Sequence, residues 1–237
     1  MLPAYSLRPA DEAHRLQSLR PYQLVASLPE QLFDELVRLT AALFCVPIAI
    51  IALVEESTVQ FQLNVGLPKG TQRESRAESL CSIAIMQEHT TVFENLQTNP
   101  CTLAQPGLVQ RLNLQFYAGH PLRTPDGYPV GVLCVIDHKP RLFAAEEQEL
   151  LVRLSELVIR LLSLRVQALE EPLLPSLWSR LYDQVEDSIT RISTLVSLME
   201  WEEHNETEGA CAYRQSVREE IGRVLDALHG QLLAVAC

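Results

Sequence analysis

The chain has 237 residues, 47% of them hydrophobic, six cysteines and a formal net charge of −11. That length buries a core for one domain plus an appendage or for two small domains, and without a basic stripe no nucleic-acid partner is expected. No run approaches the ~20 apolar residues of a membrane span. The opening lacks the apolar segment of a secretory leader, and the scattered cysteines form no CxxC pair or metal-ligand spacing, so reduced thiols in the cytoplasm are expected.

Residues 1–26, with Pro3, Pro9 and Pro21, read as an irregular lead-in carrying a short helix. A helix follows in "SLPEQLFDELVRLTAALF" (27–44), where Ser27 and Glu30 have capping-box spacing, Pro29 suits a first turn, and Leu32, Leu36, Leu39 and Leu43 share a face. "VPIAIIALVEE" (46–56) and "TVQFQLNVG" (58–66) read as an antiparallel strand pair, the second with Val59, Phe61, Leu63 and Val65 alternating against polar residues. "GLPKGTQRESRAES" (66–79) reads as a loop. Ser79 is placed to cap a short helix beginning "LCSIAI", "TTVFENL" (90–96) is a short strand, and "LVQRLN" a helical turn.

In "FYAGHPLRTPDGYPVGVLCVID" (116–137) two strand-like runs flank Pro-Asp-Gly. Proline presets φ and glycine supplies positive φ, so this is a hairpin, with Pro129 confined to a strand start or edge. From Glu146 to Leu169 the pattern is helical, with Leu150, Leu154, Leu157, Leu161 and Leu164 on one stripe and Leu151, Val158 and Leu162 on a second. Two stripes imply two surfaces to bury against, the sheet and a partner helix of this chain or of a second copy. The remainder, 170–237, reads as a helical hairpin. Ten acids stand against Arg180 and Arg191 between Glu170 and Glu208, which concentrates the negative charge on a solvated helical face there.

The element order over 27–169, together with "SLCSIAI" (79–85), the FYAG–PL, PDG and G–LCVID segments, and "RLFAAEEQELLVRL" (141–154), resembles the GAF domain family in a bacterial sensor branch. The resemblance covers about 60% of the chain. It implies an α+β, GAF-like (PAS-like) fold: a five- to six-stranded antiparallel sheet, terminal helices on one face, and a small-molecule pocket under loops and short helices on the other. The C-terminal helical hairpin lies outside it. Two departures stand out. Ala144 and Ala145 replace the usual hydroxyl residue at the start of the long helix, which implies a looser start. His120 stands where a small or apolar residue is usual, which implies a wetter pocket.

The resemblance implies a cytoplasmic sensory module, not an enzyme, that binds a small molecule or a partner and dimerises through its terminal helices. The candidate pocket residues are Cys81, Phe116, Tyr117, His120, Cys134 and Arg76. Alternation puts Phe116, Ala118, His120 and Leu122 on one strand face and Tyr117 and Gly119 on the other. With the Phe116 face toward the pocket, His120 would hydrogen-bond a ligand. Arg76, with Arg73 and Glu78, would reach over the pocket toward an anion. Cys81 and Cys134 are either core residues or a redox-active thiol pair. A thiol-dependent reductase of the free methionine sulfoxide type, and a scaffold whose pocket is filled by its own side chains, are the alternative functions. The loop at 66–79 has no cysteine, unlike those reductases, and "PGLVQRLN" (106–113) has neither Cys nor His, so no covalent bilin is expected.

Overall fold

A computed structural model describes residues 8–28, 31–101, 107–170, 175–202 and 208–235. The chain divides into two compact units between Val166 and Gln167. The first is built on six strands: β1 (Ile48–Val54), β2 (Thr58–Val65), β3 (Arg73–Ser75), β4 (Thr91–Phe93), β5 (Phe116–Arg123) and β6 (Pro129–Asp137). All neighbours pair antiparallel, in the order β3-β2-β1-β6-β5-β4.

The β5–β6 hairpin forms as its turn residues require. Gly127 has φ +89°, its N–H donates to Thr124 O at 2.8 Å, and Thr124 N–H donates to Tyr128 O at 3.0 Å. Pro129 opens β6. The long-range pairing of β6 with β1, from Ile48 opposite Ile136 to Leu53 opposite Gly131, fixes which side chains share a face. Ile48, Ile50, Ala52 and Val54 join Val132, Cys134 and Ile136 in one buried cluster with Val59, Phe61 and Tyr117. The intervening residues Ala49, Ile51, Leu53, Leu133 and Val135 point to the other face and are equally buried.

The expected unbroken alternation of β2 does not hold. The register shifts between Ile51 and Leu53, so Val59 pairs with Val54 while Leu63 pairs with Ile51. One bulged position puts Val59 and Phe61 on one face and Leu63 and Val65 on the other. The loop expected at 66–79 also contains β3 and a 3₁₀ turn, Arg76–Glu78.

Long helices cover the second face. Helix α1 (Glu12–Ser27) is far longer than the short helix expected in the lead-in, with Leu19, Tyr22 and Val25 buried. Ser27 is its last residue and its hydroxyl donates to Leu24 O, so it does not cap the next helix; Pro29 and Glu30, the other expected start signals, lie outside the described residues. Helix α2 (Gln31–Leu43) buries Leu32, Leu36 and Leu39 and lies against β1 and β2.

Across the first face run α3 (Cys81–Ala84) and α4 (Gly107–Arg111), both a single turn long. Phe143, just before α5 (Ala145–Glu170), packs on Phe116 and Phe44 with ring centroids 5.5 and 5.7 Å apart, and Tyr22 of α1 bonds Ser163 of α5 at 2.9 Å. The start of α5 is not loose. Glu147 reaches back to accept the Ala144 N–H at 3.0 Å, the reciprocal half of a capping box, and Glu94 accepts the Phe143 N–H at 3.0 Å, so acidic side chains anchor the entry to α5 although no hydroxyl caps its first turn.

The second unit contains the end of α5 and helices α6 (Pro175–Glu202) and α7 (Glu208–Val235), which pack on each other. Val185, Ile189, Ile192 and Val196 are buried on α6, and Val217, Ile221, Val224 and Leu228 on α7. Arg191 pairs with Glu220 across the two helices.

Candidate functional site

Tyr117 is the centre of the first face. It is 1% exposed and its hydroxyl donates to Cys81 Sγ at 3.6 Å. The ring can lie along its own strand because residue 119 is glycine: a Cβ there would sit 2.4 Å from the Tyr117 hydroxyl. Gly119 pairs with Cys134 across the hairpin, so the tyrosine reaches the sulfurs through space that any other residue would fill.

Cys81 and Cys134, from α3 and β6, bring their sulfurs to 4.0 Å. The Cys81 N–H donates to Ser79 Oγ at 3.3 Å, which realises the expected role of Ser79 at the start of α3. The Cys134 thiol, the Tyr117 hydroxyl and Ser79 together lower the Cys81 pKa from its ordinary value against the opposing effect of burial. Cys134, hydrogen-bonded to Cys81 and buried, is pushed well above its ordinary value. Burial and the two sulfurs likewise raise Tyr117, so it remains a hydrogen-bond donor. Of the two thiols, Cys81 is the better anion.

Beside Cys81 and Tyr117 lies an open recess, lined also by Ile50, Phe61, Glu78, Ser79, Leu80, Val109, Leu114 and Ile136, with a cavity volume of about 20 Å3. That admits a guest of one or two water molecules. It is far below the roughly 300–1,000 Å3 of sites that hold metabolites. At its rim Arg111 of α4 pairs with Glu74 of β3 at 2.5 Å and approaches Glu78 at 3.9 Å. Glu74 is buried, and burial together with its bond to Glu78 raises its pKa despite Arg111.

The other candidates lie elsewhere. Phe116 is on the opposite face, against Phe143 and under the Arg141 guanidinium at 5.4 Å. The recess therefore opens on the Tyr117 face of β5, not on the face shared by Phe116 and His120, because the pairing with β6 aims Tyr117 at the cluster. His120 meets Thr90 at 3.1 Å, and burial, with Arg123 and His89 nearby, drops its pKa to about 4.

Arg76 neither overhangs the recess nor lies in a solvated loop. It is 5% exposed, donates to Glu55 O at 3.0 Å and Glu56 O at 3.4 Å, and shares Glu12 of α1 with Arg15. Arg15 is wholly buried, holding both Glu12 oxygens at 2.8 and 2.9 Å while donating to Val54 O at 2.8 Å and Pro129 O at 3.2 Å. Burial alone would raise Glu12, but the two guanidiniums outweigh it and hold the carboxyl below its usual range. This Arg–Glu–Arg cluster ties α1 to the ends of β1 and β6. Glu74, Arg111 and Gly119 were not singled out as site residues from sequence; the small residue two places after a strand tyrosine was the available signal. Among the described residues no group of three or more His, Cys, Asp or Glu is arranged to hold a metal ion.

The GAF domain profile matches residues 28–162. The chain belongs to the GAF domain family. GAF domains are a class of sensory module, and no helix among the described residues is long and apolar enough to cross a membrane. Over 161 residues the chain is 29% identical to a cyclic di-GMP phosphodiesterase of Pseudomonas aeruginosa, matching 68% of this chain but 27% of that protein. The chain thus spans about a quarter of the length of this curated relative. Among solved structures, the GAF domain of an Acinetobacter phosphoenolpyruvate-protein phosphotransferase is 19% identical with a TM-score of 0.48, covering 66% of this chain and 97% of that one. The blue-light absorbing PixJ GAF domain of Thermosynechococcus elongatus is 15% identical with a TM-score of 0.48, covering 65% and 92%.

Proposed function

We propose that this GAF chain is a cytoplasmic regulatory module that works without turnover. In this reading residues 27–169 are the sensing domain, 1–26 the lead-in and 170–237 the helical extension. The recess under Tyr117 is the sensing element, and the terminal helices hand its state to a second copy of the chain or to a partner protein. The observation that carries the reading is the size of the recess. About 20 Å3 is too little for a cyclic nucleotide or another metabolite, so the signal is either a water-sized molecule or a change in the wall itself. The likeness to a cyclic di-GMP phosphodiesterase supports a signalling setting; that protein's activity is not carried over, since only 27% of it is matched.

A thiol reductase is the second reading, favoured by the 4.0 Å separation of Cys81 and Cys134. Free methionine sulfoxide exceeds the recess, which weighs against that substrate. Native mass spectrometry of protein purified from its own host tests the first reading. A homodimer carrying no metabolite-sized molecule is expected. A nucleotide-sized guest at one per chain would overturn the water-sized recess, and a monomer would overturn output through a second copy.

A further inference from the structure

Cys81 and Cys134 are 53 residues apart in sequence, yet α3 and β6 hold their sulfurs 4.0 Å apart, both buried. Only Cys81 lines the recess, and the Tyr117 hydroxyl points its proton at that sulfur from 3.6 Å. A guest entering the recess therefore meets one thiol, backed by a hydrogen-bond donor and a second thiol. The guest must be about the size of one or two waters. Among thiol oxidants, hydrogen peroxide has that size.

We propose that Cys81 and Cys134 form a thiol–disulfide switch oxidised by hydrogen peroxide, with Cys81 as the attacking sulfur. The Cys81 thiolate attacks one peroxide oxygen; an S–O bond forms as the O–O bond breaks. The departing oxygen takes up the proton that Cys81 lost and leaves as water. Cys134 Sγ then attacks the sulfenic sulfur of Cys81. The S–S bond forms, the S–O bond breaks, and the hydroxyl leaves with the Cys134 proton as a second water. Two thiols are oxidised to one disulfide and one peroxide is reduced to two waters. Lowering of Cys81 by Cys134, Tyr117 and Ser79 favours the thiolate that this step needs.

Closing the sulfurs from 4.0 Å to a bond of about 2.05 Å brings them roughly 2 Å closer, a change shared between side-chain rotation and a shift of the short α3. The move falls on a four-residue helix that walls the recess, and Cys81 gives up its bond from Tyr117. The switch rests on the recess being the sensing element and names what it senses.

The test treats the full chain with hydrogen peroxide, blocks remaining thiols by alkylation, and maps the six cysteines by peptide mass spectrometry. The expected product lacks two hydrogens, carries a Cys81–Cys134 cross-link and reverts with dithiol reductant. Cys134→Ser should accumulate a sulfenic acid on Cys81, trapped by dimedone. Tyr117→Phe should slow Cys81 oxidation about tenfold, the value of one hydrogen bond to a charged group, measured against exposed Cys45 as internal reference. Cys81 and Cys134 staying reduced while Cys45 oxidises would overturn the switch, as would a cross-link joining other cysteines. Dimedone on a cysteine other than Cys81 in the Cys134→Ser chain would overturn the assignment of the attacking sulfur. The wild-type mapping needs no substitution, so it decides the matter even where a variant misfolds. It reads sulfur chemistry alone, whereas native mass reads guest and oligomer, so the two failures are distinct.

Discussion

The two faces of the GAF sheet are covered by different means. One is sealed by long helices, α1, α2 and α5, with Phe44, Phe116 and Phe143 stacked beneath them and a buried Arg15–Glu12–Arg76 cluster pinning α1. The other is covered by single-turn helices, α3 and α4, and keeps a recess beside a thiol pair. A long helix spreads its burial over many residues and opens as a unit. A four-residue helix can shift without unfolding anything else. The contrast assigns stability to one side and adjustability to the other.

The largest effect should come from the sealed side. Glu12→Ala leaves Arg15 and Arg76 as buried charges without their shared carboxylate. A loss of about 3–5 kcal/mol is expected in chemical unfolding, with Cys81 reactivity unchanged in the folded fraction. Faster Cys81 labelling of the folded variant would blur the division between faces.

Next in size, Gly119→Ala puts a methyl into the Tyr117 hydroxyl on the recess side. Overpacking of this kind costs about 1–3 kcal/mol, and Tyr117→Phe should return part of it in a double-mutant cycle. Simple additivity would mean that the two side chains do not meet.

A pH effect of intermediate size belongs to His120. Its folded pKa of about 4 lies below the ordinary 6.5, so the native state resists the proton that the unfolded chain accepts. The stability this gives is complete above pH 6.5 and is lost as pH falls toward 4. His120→Asn keeps a partner for Thr90 and removes the titration. Urea unfolding should show a wild-type loss between pH 7 and 5 exceeding that of the variant by on the order of 1–2 kcal/mol. Parallel pH curves would sink the assignment.

The smallest change in stability is expected at the rim. Arg111 is 56% exposed on its side chain, so Arg111→Ala should cost no more than about 1 kcal/mol. Its second effect concerns access: with α4 released from Glu74, Cys81 should react faster with a small alkylating agent. An unchanged labelling rate would show that α4 does not limit entry.

Much of this architecture was readable from the residues. Pro-Asp-Gly with flanking apolar runs gave the hairpin, and the double leucine stripe gave α5 to within one residue at each end. The β2 bulge was not readable, because alternation looks the same whether or not one position is skipped; pairing with β1 decides it. Helix α1 was underestimated because a buried ion cluster, rather than an apolar stripe, fixes its first turns. Alternation also separated Tyr117 from Phe116 without saying which one faces the recess. That choice depends on the pairing of β1 with β6, two strands far apart in the chain. Cys81 and Cys134 met a similar limit: the residues alone leave them either core residues or a thiol pair, and only the fold gives the 4.0 Å between their sulfurs.

The sheet ends on both sides in a strand of three residues, Arg73–Ser75 and Thr91–Phe93. Such short edge strands offer few backbone groups of their own to an incoming chain. Runaway strand-to-strand growth into fibrils is thereby discouraged at both margins.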